Sequence, residues 1–454
     1  MRRHSLIARL GPSDSAAVTV VQGDSLQTEI RFVDGYRQLG YGIGQMLRQL
    51  ISCGLVPSET AADLAILAAV VTAADTRISR AADAQDTWTR EIDLYLPVHD
   101  QTRWNAAAPL VVRTLNFLTG DRWRVFFRAR NTQNRQLITP PRALVAAPFT
   151  SVCLFSGGLD SFVGAIDLFA AGQTPLLVSH YGDNSTSSQE LCAKRLAPAY
   201  GNMTNRHVRA NVRFDKNDFS HAMGDESTTR GRSFLFFALA ALAASGFRNG
   251  PVVYVPENGL ISLNVPLDPL RVGAWSTRTT HPFYMARWQE LLDGLGVAAT
   301  LENPYRFKTK GEMLRDCGER GLAERYATDT ISCSSVTKAR WLGRPLGHCG
   351  FCVPCLIRRA ALTAAFGVDK TTYTIENLRA RTLDSKSAEG EHVRSFQMMA
   401  RRLEKRPSLA RILVHKSGPL SDYPGADVAQ YADVFRRGIE EVDNVTGPAK
   451  VRPI

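Results

Sequence analysis

The chain has 454 residues, 44% hydrophobic, 22% charged and 8% aromatic, a balance that supports a large buried core and excludes collagen-like, coiled-coil and wholly disordered organisation. Its 55 Lys and Arg against 43 Asp and Glu leave a net charge of +12, which favours anionic partners such as nucleotides, nucleic acid or an acidic protein without choosing among them. The most apolar stretch, 65–74 (AILAAVVTAA), is about half the roughly 20 residues that span a bilayer. No apolar run of signal-peptide length follows Arg2 and Arg3, so a cytoplasmic protein without membrane contact is expected.

In chain order, 1–140 reads as an α/β extension, with a strand over 91–98, a helix over 106–119 and a strand over 123–129. Residues 137–148 carry three prolines and little periodicity and are the best linker. From 149 the pattern changes. Apolar strands at 150–155, 175–180, 205–210 and 252–255 alternate with helices at 160–171, 187–199 and 232–244. This β-α-β order predicts an α/β fold with a parallel sheet covered on both faces, spanning 149–330. A cysteine-rich segment over 331–368 and a helical extension over 369–454 follow, with helices at 391–405 and 427–442. Met398, Met399 and Leu403 are expected in its core.

The segment 151–165, SVCLFSGGLDSFVGA, is the most informative. An apolar strand runs into Ser156-Gly157-Gly158-Leu159-Asp160-Ser161, and an amphipathic helix starts at once. Two glycines let backbone N–H groups approach an anion, Ser156 and Ser161 add hydroxyl donors, and the helix N-terminus adds partial positive charge. The result is a phosphate cradle that is neither a Walker A loop nor a dinucleotide fingerprint. The next strand ends in His180-Tyr181-Gly182. Ligands of open parallel sheets sit beyond the carboxyl ends of strands, which puts Tyr181 and Gly182 on the adenine side. His180 is expected to make only a local hydrogen bond.

Cys333, Cys349, Cys352 and Cys355 are spaced C-x15-C-x2-C-x2-C, which lets four thiolates converge on one ion. A structural zinc is expected, with an iron–sulfur cluster as the rival. Cys53, Cys153, Cys192 and Cys317 are scattered.

SGGxDS resembles the PP-loop of the ATP pyrophosphatases. Together with the cluster Cys349-Gly350-Phe351-Cys352-Val353-Pro354-Cys355, the Tyr181-Gly182 pair, Gly231-Arg232-Ser233 and Thr309-Lys310-Gly311-Glu312, it resembles the 7-cyano-7-deazaguanine synthase (QueC) family over residues 149–368. That resemblance implies a PP-loop fold and ATP-dependent activation of the carboxylate of 7-carboxy-7-deazaguanine, followed by attack of ammonia and dehydration to a nitrile. It implies that Ser156, Gly157, Gly158, Leu159, Asp160 and Ser161 bind ATP, with Asp160 holding Mg²⁺. Lys310 would act in catalysis, Arg232 and Glu312 at the substrate, and the four cysteines would hold zinc near the pocket.

The chain departs from the family in its long extensions, in its wider first cysteine gap and in Asp183 after Tyr-Gly. The stretch 256–280 looks more like a longer, QatC-type branch found in bacterial anti-phage operons of the Qat type, and there Glu257, Asn258, Asn264 and Arg278 would contact a purine-like edge and a carboxylate. An activated acyl group is indifferent to which positioned amine attacks, so a partner-protein amine is an alternative to ammonia. The expected partners are therefore a deazaguanine, a protein acceptor or other operon-encoded proteins, and a second copy of the chain. A tRNA-modifying PP-loop enzyme and a non-catalytic nucleotide-binding scaffold are the competing readings.

Overall fold

The computed structural model describes residues 2–33, 39–84, 87–142, 147–182, 186–215, 218–219, 224–226, 228–267, 278–337, 340, 343 and 347–454. Asp183, positions 143–146 of the linker and positions 268–277 of the 256–280 stretch lie outside them.

Among the described residues the chain builds two large parallel sheets, besides a two-stranded parallel pair of Leu383–Asp384 with Val451–Arg452. In the first, β1 (Arg3–Arg9), β2 (Leu26–Arg31), β3 (Glu91–Val98) and β4 (Arg122–Ala129) run in the order β2-β1-β3-β4, every neighbouring pair parallel. β3 and β4 fall where the sequence places them, and the helix expected over 106–119 begins earlier, at Gln101. β1 and β2 were not expected. β1 is central and buried but carries His4 and Ser5 inside the sheet, and these polar residues break the apolar run that marks a buried strand.

The second sheet comprises β5 (Ser151–Leu154), β6 (Pro175–His180), β7 (His207–Ala210), β8 (Val252–Tyr254) and β9 (Thr300–Glu302) in the order β7-β6-β5-β8-β9, again all parallel. Side chains alternate faces along a strand. Val152, Leu176, Val178 and Val253 enter one core with the Arg232–Ala244 helix, while Cys153 and Leu177 enter another with the Leu159–Ala170 helix. Both faces are therefore covered, as the continuous apolar strands require. The chain steps outward from β5 to β7 and then crosses to the other side of β5 to form β8. That reversal opens a crevice between the carboxyl ends of β5 and β8.

The apolar stretch 65–74 lies within the Glu59–Arg77 helix, whose N-cap Ser58 Oγ accepts from Ala61 N at 3.2 Å. The helix is buried almost all round and packs against the Arg232–Ala244 helix, as a helix apolar on every face must. In consequence the two sheets share one hydrophobic core running from Leu6 to Ala299. The start of the linker is docked as well, since the Glu59 carboxylate accepts from Leu137 N and Ile138 N at 2.9 Å. The C-terminal helices, Ala388–Lys405 and Gly425–Thr446 among them, share a third core with Leu260, Leu263 and the Val353–Phe366 helix. Met399 and Leu403 are buried in it, but Met398, about 100° round the helix from Met399, points away from that stripe and is exposed. Among the described residues no helix is long and apolar enough to cross a membrane.

Four buried charges join the sheets. Arg90, fully buried, donates to Asp121 Oδ2 at 2.7 Å and to Asp75 Oδ1 at 3.1 Å, and Arg80 Nη2 donates to Asp121 Oδ2 at 2.8 Å. Asp75 Oδ2 in turn accepts from Gly231 N at 2.6 Å, just before the Arg232–Ala244 helix. Removing Asp121 leaves two buried arginines to share the single carboxylate of Asp75. Asp121→Ala is therefore expected to cost about 3–5 kcal/mol in urea unfolding or to abolish soluble protein. Glu440→Ala, which breaks an exposed pair with Arg436, is expected to cost less than about 1 kcal/mol.

Candidate functional site

The loop after β5 is held from within. Ser161 Oγ donates to Gly158 O at 3.0 Å and accepts from Ser156 N at 3.2 Å, and Gly158 N donates to Ser156 Oγ at 3.3 Å. Gly157 adopts φ +77°, and a Cβ there would lie 2.7 Å from Gln189 N. Its carbonyl accepts from Ser188 Oγ at 2.7 Å and from Ile331 N at 3.0 Å. Only glycine fits, and the turn leads straight into the Leu159–Ala170 helix, whose first N–H groups have no partner within the helix and favour an anion.

A cleft of about 480 Å³ opens beside this loop, lined by Ser156 and Ser161, by Thr228, Arg230 and Arg232, by Glu257 and Thr280, and by Ser332 and Cys333. The arginine wall is fixed by the N-terminal sheet. Arg230 Nη1 donates to Thr119 O at 3.2 Å, its guanidinium lies 4.3 Å over the Trp88 ring, and Arg80 Nε donates to Thr228 Oγ1 at 3.2 Å. Burial lowers the Arg230 pKa to about 10, so the group stays charged at neutral pH. Arg232 keeps solvent contact through the cleft, while crowding by the walls lowers its pKa. Sequence reading singled out Arg232 and passed over Arg230. The Arg-Gly-Arg step over 230–232 was the available signal.

Lys310 Nζ pairs with Asp160 Oδ1 at 2.8 Å, and Asp160 Oδ2 accepts from Asn258 N at 3.0 Å and Asn258 Nδ2 at 2.7 Å. Asp160 Oδ1 is inaccessible. A magnesium ion needs a carboxylate oxygen open to it, so Asp160 as placed here positions Lys310 and does not fit the metal role. Asn258 is fully buried, and its Oδ1 caps the Gly259–Leu263 helix through Ile261 N at 3.2 Å. Glu257 faces the cleft. Thr280 Oγ1 donates to its carboxylate, its N–H donates to Asn303 Oδ1 at 3.3 Å, and burial, reinforced by Asp160, pushes its pKa up to about 7.

Other expected residues are engaged elsewhere. Thr309 and Glu312 form a capping box, Thr309 N donating to Glu312 Oε2 at 2.8 Å, and Arg437 pairs with the same carboxylate. Glu441 of the C-terminal helix accepts from Thr309 Oγ1 at 2.7 Å and Gly311 N at 3.1 Å. Arg278 Nη1 donates to Phe117 O at 2.8 Å, with the guanidinium 4.7 Å over that ring. Asn264 takes the left-handed C-cap of its helix, φ 44°, and its carbonyl accepts from Ser417 Oγ. None of these lines the cleft. Tyr181 and Gly182 sit at the end of β6, Tyr181 under the Arg209 guanidinium at 4.7 Å and Gly182 N donating to Thr186 Oγ1 at 2.9 Å. His180 Nε2 lies 3.1 Å from Val212 O, and burial holds its pKa down at about 4, so a neutral ring making a local hydrogen bond is what the structure contains.

The ligand sulfurs of Cys333, Cys349, Cys352 and Cys355 lie within 4.8 Å of one another. Cys333 and Cys352 are 3.8 Å apart, and Cys349 and Cys355 4.0 Å. Four thiolates at 2.3 Å from a tetrahedral ion stand about 3.8 Å apart, so the group is able to hold one metal ion such as zinc. Ser335 N and Cys352 N donate to the sulfurs of Cys333 and Cys349 at 3.3 Å. Cys355 lies in the first turn of the Val353–Phe366 helix, where the helix N-terminus favours a thiolate. His348 Nε2 accepts from Ser332 N at 3.2 Å and is not part of the set. Cys153, Cys192 and Cys317 are buried, which pushes each pKa up to about 12. No family model, curated protein or solved structure matches the chain.

Elemental analysis of purified protein is expected to find one zinc per chain. Cys352→Ser is expected to lose the metal and to lower Tm sharply, because a structural metal supplies folding free energy directly. Full stability without metal would contradict this role.

Proposed function

We propose that this protein is an ATP-dependent carbon–nitrogen ligase that activates the carboxylate of a 7-deazaguanine, 7-carboxy-7-deazaguanine, and transfers the acyl group to an amine. The observation that carries the proposal is the glycine-dependent SGGLDS turn at the β5/β8 switch point, sharing one cleft with Arg230 and Arg232. The resemblance described above supplies the substrate class.

Each step has a residue set suited to it. Ser156, Ser161 and the N–H groups behind them are suited to phosphate oxygens, and Arg230 and Arg232 to the remaining negative charge of ATP and of the substrate carboxylate. ATP supplies the driving force when its α-phosphate is transferred to the carboxylate and pyrophosphate leaves. Lys310, held by Asp160 within the buried floor, adds a fixed positive charge close to the loop. The carbonyl then receives the amine, an N–C bond forms, the bond to AMP breaks, and AMP leaves. The four cysteines hold zinc rather than an iron–sulfur cluster, since sulfurs this close leave room for a single ion. With Cys333 lining the cleft and Ile331 hydrogen-bonded to Gly157, that zinc braces the wall without joining the reaction. A tRNA-modifying reading that uses free cysteines fits less well, because burial raises the pKa of all four outside the metal set, half-buried Cys53 and buried Cys153, Cys192 and Cys317, and thiolate chemistry needs the opposite.

Incubation with ATP, 7-carboxy-7-deazaguanine and ammonia, with and without candidate acceptor proteins of anti-phage operons, is read by mass spectrometry. The proposal expects a free amide or nitrile, or a deazaguanine-sized mass increment on an acceptor protein, in a cytoplasmic defence system. Absence of AMP and of every product under both conditions would leave a nucleotide-binding scaffold. Gly157→Ala is expected to lower turnover by about 100-fold, since its Cβ collides with the Gln189 backbone and misplaces the loop.

A further inference from the structure

We infer that Glu257 is the general base that takes up the proton shed by the attacking amine, so that the cleft carries its own group for the transfer half of the reaction; the inference rests on the ligase reading above. When an amine attacks an activated carboxyl, its lone pair forms the N–C bond, the C–O bond to the phosphate breaks with AMP as the leaving group, and the nitrogen must give up a proton. Amines near neutral pH are also largely protonated before attack. A base inside the cleft serves both needs.

Among the described residues lining the cleft, Glu257 is the only carboxylate. The other polar groups are hydroxyls, two arginines and Cys333, which belongs to the metal set. Asp160 lies close by but is committed to Lys310 and Asn258. Glu257 is rigidly placed. Val255 N donates to Glu302 O at 2.8 Å and Glu257 N to Asn303 Oδ1, which pins the strand end on both sides of Pro256, while Thr280 Oγ1 orients the carboxylate.

The charged groups around it are Asp160 from the Leu159–Ala170 helix and Lys310 from the Lys310–Arg315 helix, with Arg230 and Arg232 on the arginine wall. Burial is the largest influence on its acidity, and Thr280 and Lys310 oppose it. The outcome, near 7, is where a base combines availability with proton affinity.

The test compares nucleophiles. Ammonia needs a base, whereas hydroxylamine is largely unprotonated at neutral pH and traps activated carboxyls without help. E257Q is expected to lose about 100-fold or more of its transfer rate to ammonia but much less to hydroxylamine, and to lose the acid limb near pH 7. Thr280→Val serves as a second variant. It removes a hydrogen bond that lowers the Glu257 pKa, so the acid limb is expected to move to higher pH. Equal losses with both nucleophiles, or pyrophosphate–ATP exchange that falls in step with transfer, would make Glu257 a substrate contact and overturn the inference. Absence of exchange in the unmodified protein would overturn the ligase reading and this inference with it.

Discussion

Asp75 and Asp121 have no water to turn to. A carboxylate removed from solvent must be matched by buried donors, and these two find them in Arg80, Arg90 and the Gly231 N–H. Burial raises the Asp75 pKa, while Arg90 and Arg80 hold Asp121 below its usual value against the same desolvation. The acids and arginines come from the N-terminal region and pair there, and Gly231, at the edge of the cleft, supplies the N–H to Asp75 that crosses to the second sheet's covering helix. The first sheet is therefore bound to the second by electrostatics as well as by the Glu59–Arg77 helix.

The same logic recurs around the cleft. Its floor is built from β5 and β8, whose carboxyl ends diverge at the switch point. One wall is the arm over 228–232, which Arg80, Thr119, Trp88 and Asp75 hold from the N-terminal region. The segment carrying Lys310 is clamped by Glu441 and Arg437 of the last long helix. The four-cysteine segment closes the remaining side through Cys333 and the Ile331 bond to Gly157. Both extensions brace the walls around the SGGLDS loop, and on this account their removal would disorganise the site rather than merely shorten the protein.

Local signals were legible in the sequence and non-local ones were not. β6 was read residue for residue and β5 and β8 to within a few residues at their ends, because strands buried on both faces are continuous apolar runs, while β7, an edge strand of alternating burial, was read two residues too long. β1 escaped because His4 and Ser5 lie within it, and β9 because it is a three-residue edge. SGGLDS and the cysteine spacing announced themselves within short windows, and the four sulfurs do converge. Arg230 was passed over because its importance comes from Trp88 and Thr119, more than a hundred positions away. Thr309-x-x-Glu312 is a capping-box signature, and the structure uses it as one. Of the 256–280 stretch, Glu257 reaches the cleft, whereas Asn258 and Arg278 are committed to Asp160 and Phe117, contacts that depend on how distant segments pack.

The central claim is that this cleft splits ATP between its α and β phosphates on behalf of a carboxylate. Phosphorus NMR of ATP incubated with the protein and 7-carboxy-7-deazaguanine tests it most directly. The account predicts that AMP and pyrophosphate appear together and only when the carboxylate is present. ADP and inorganic phosphate, or ATP left intact with the carboxylate supplied, would contradict it.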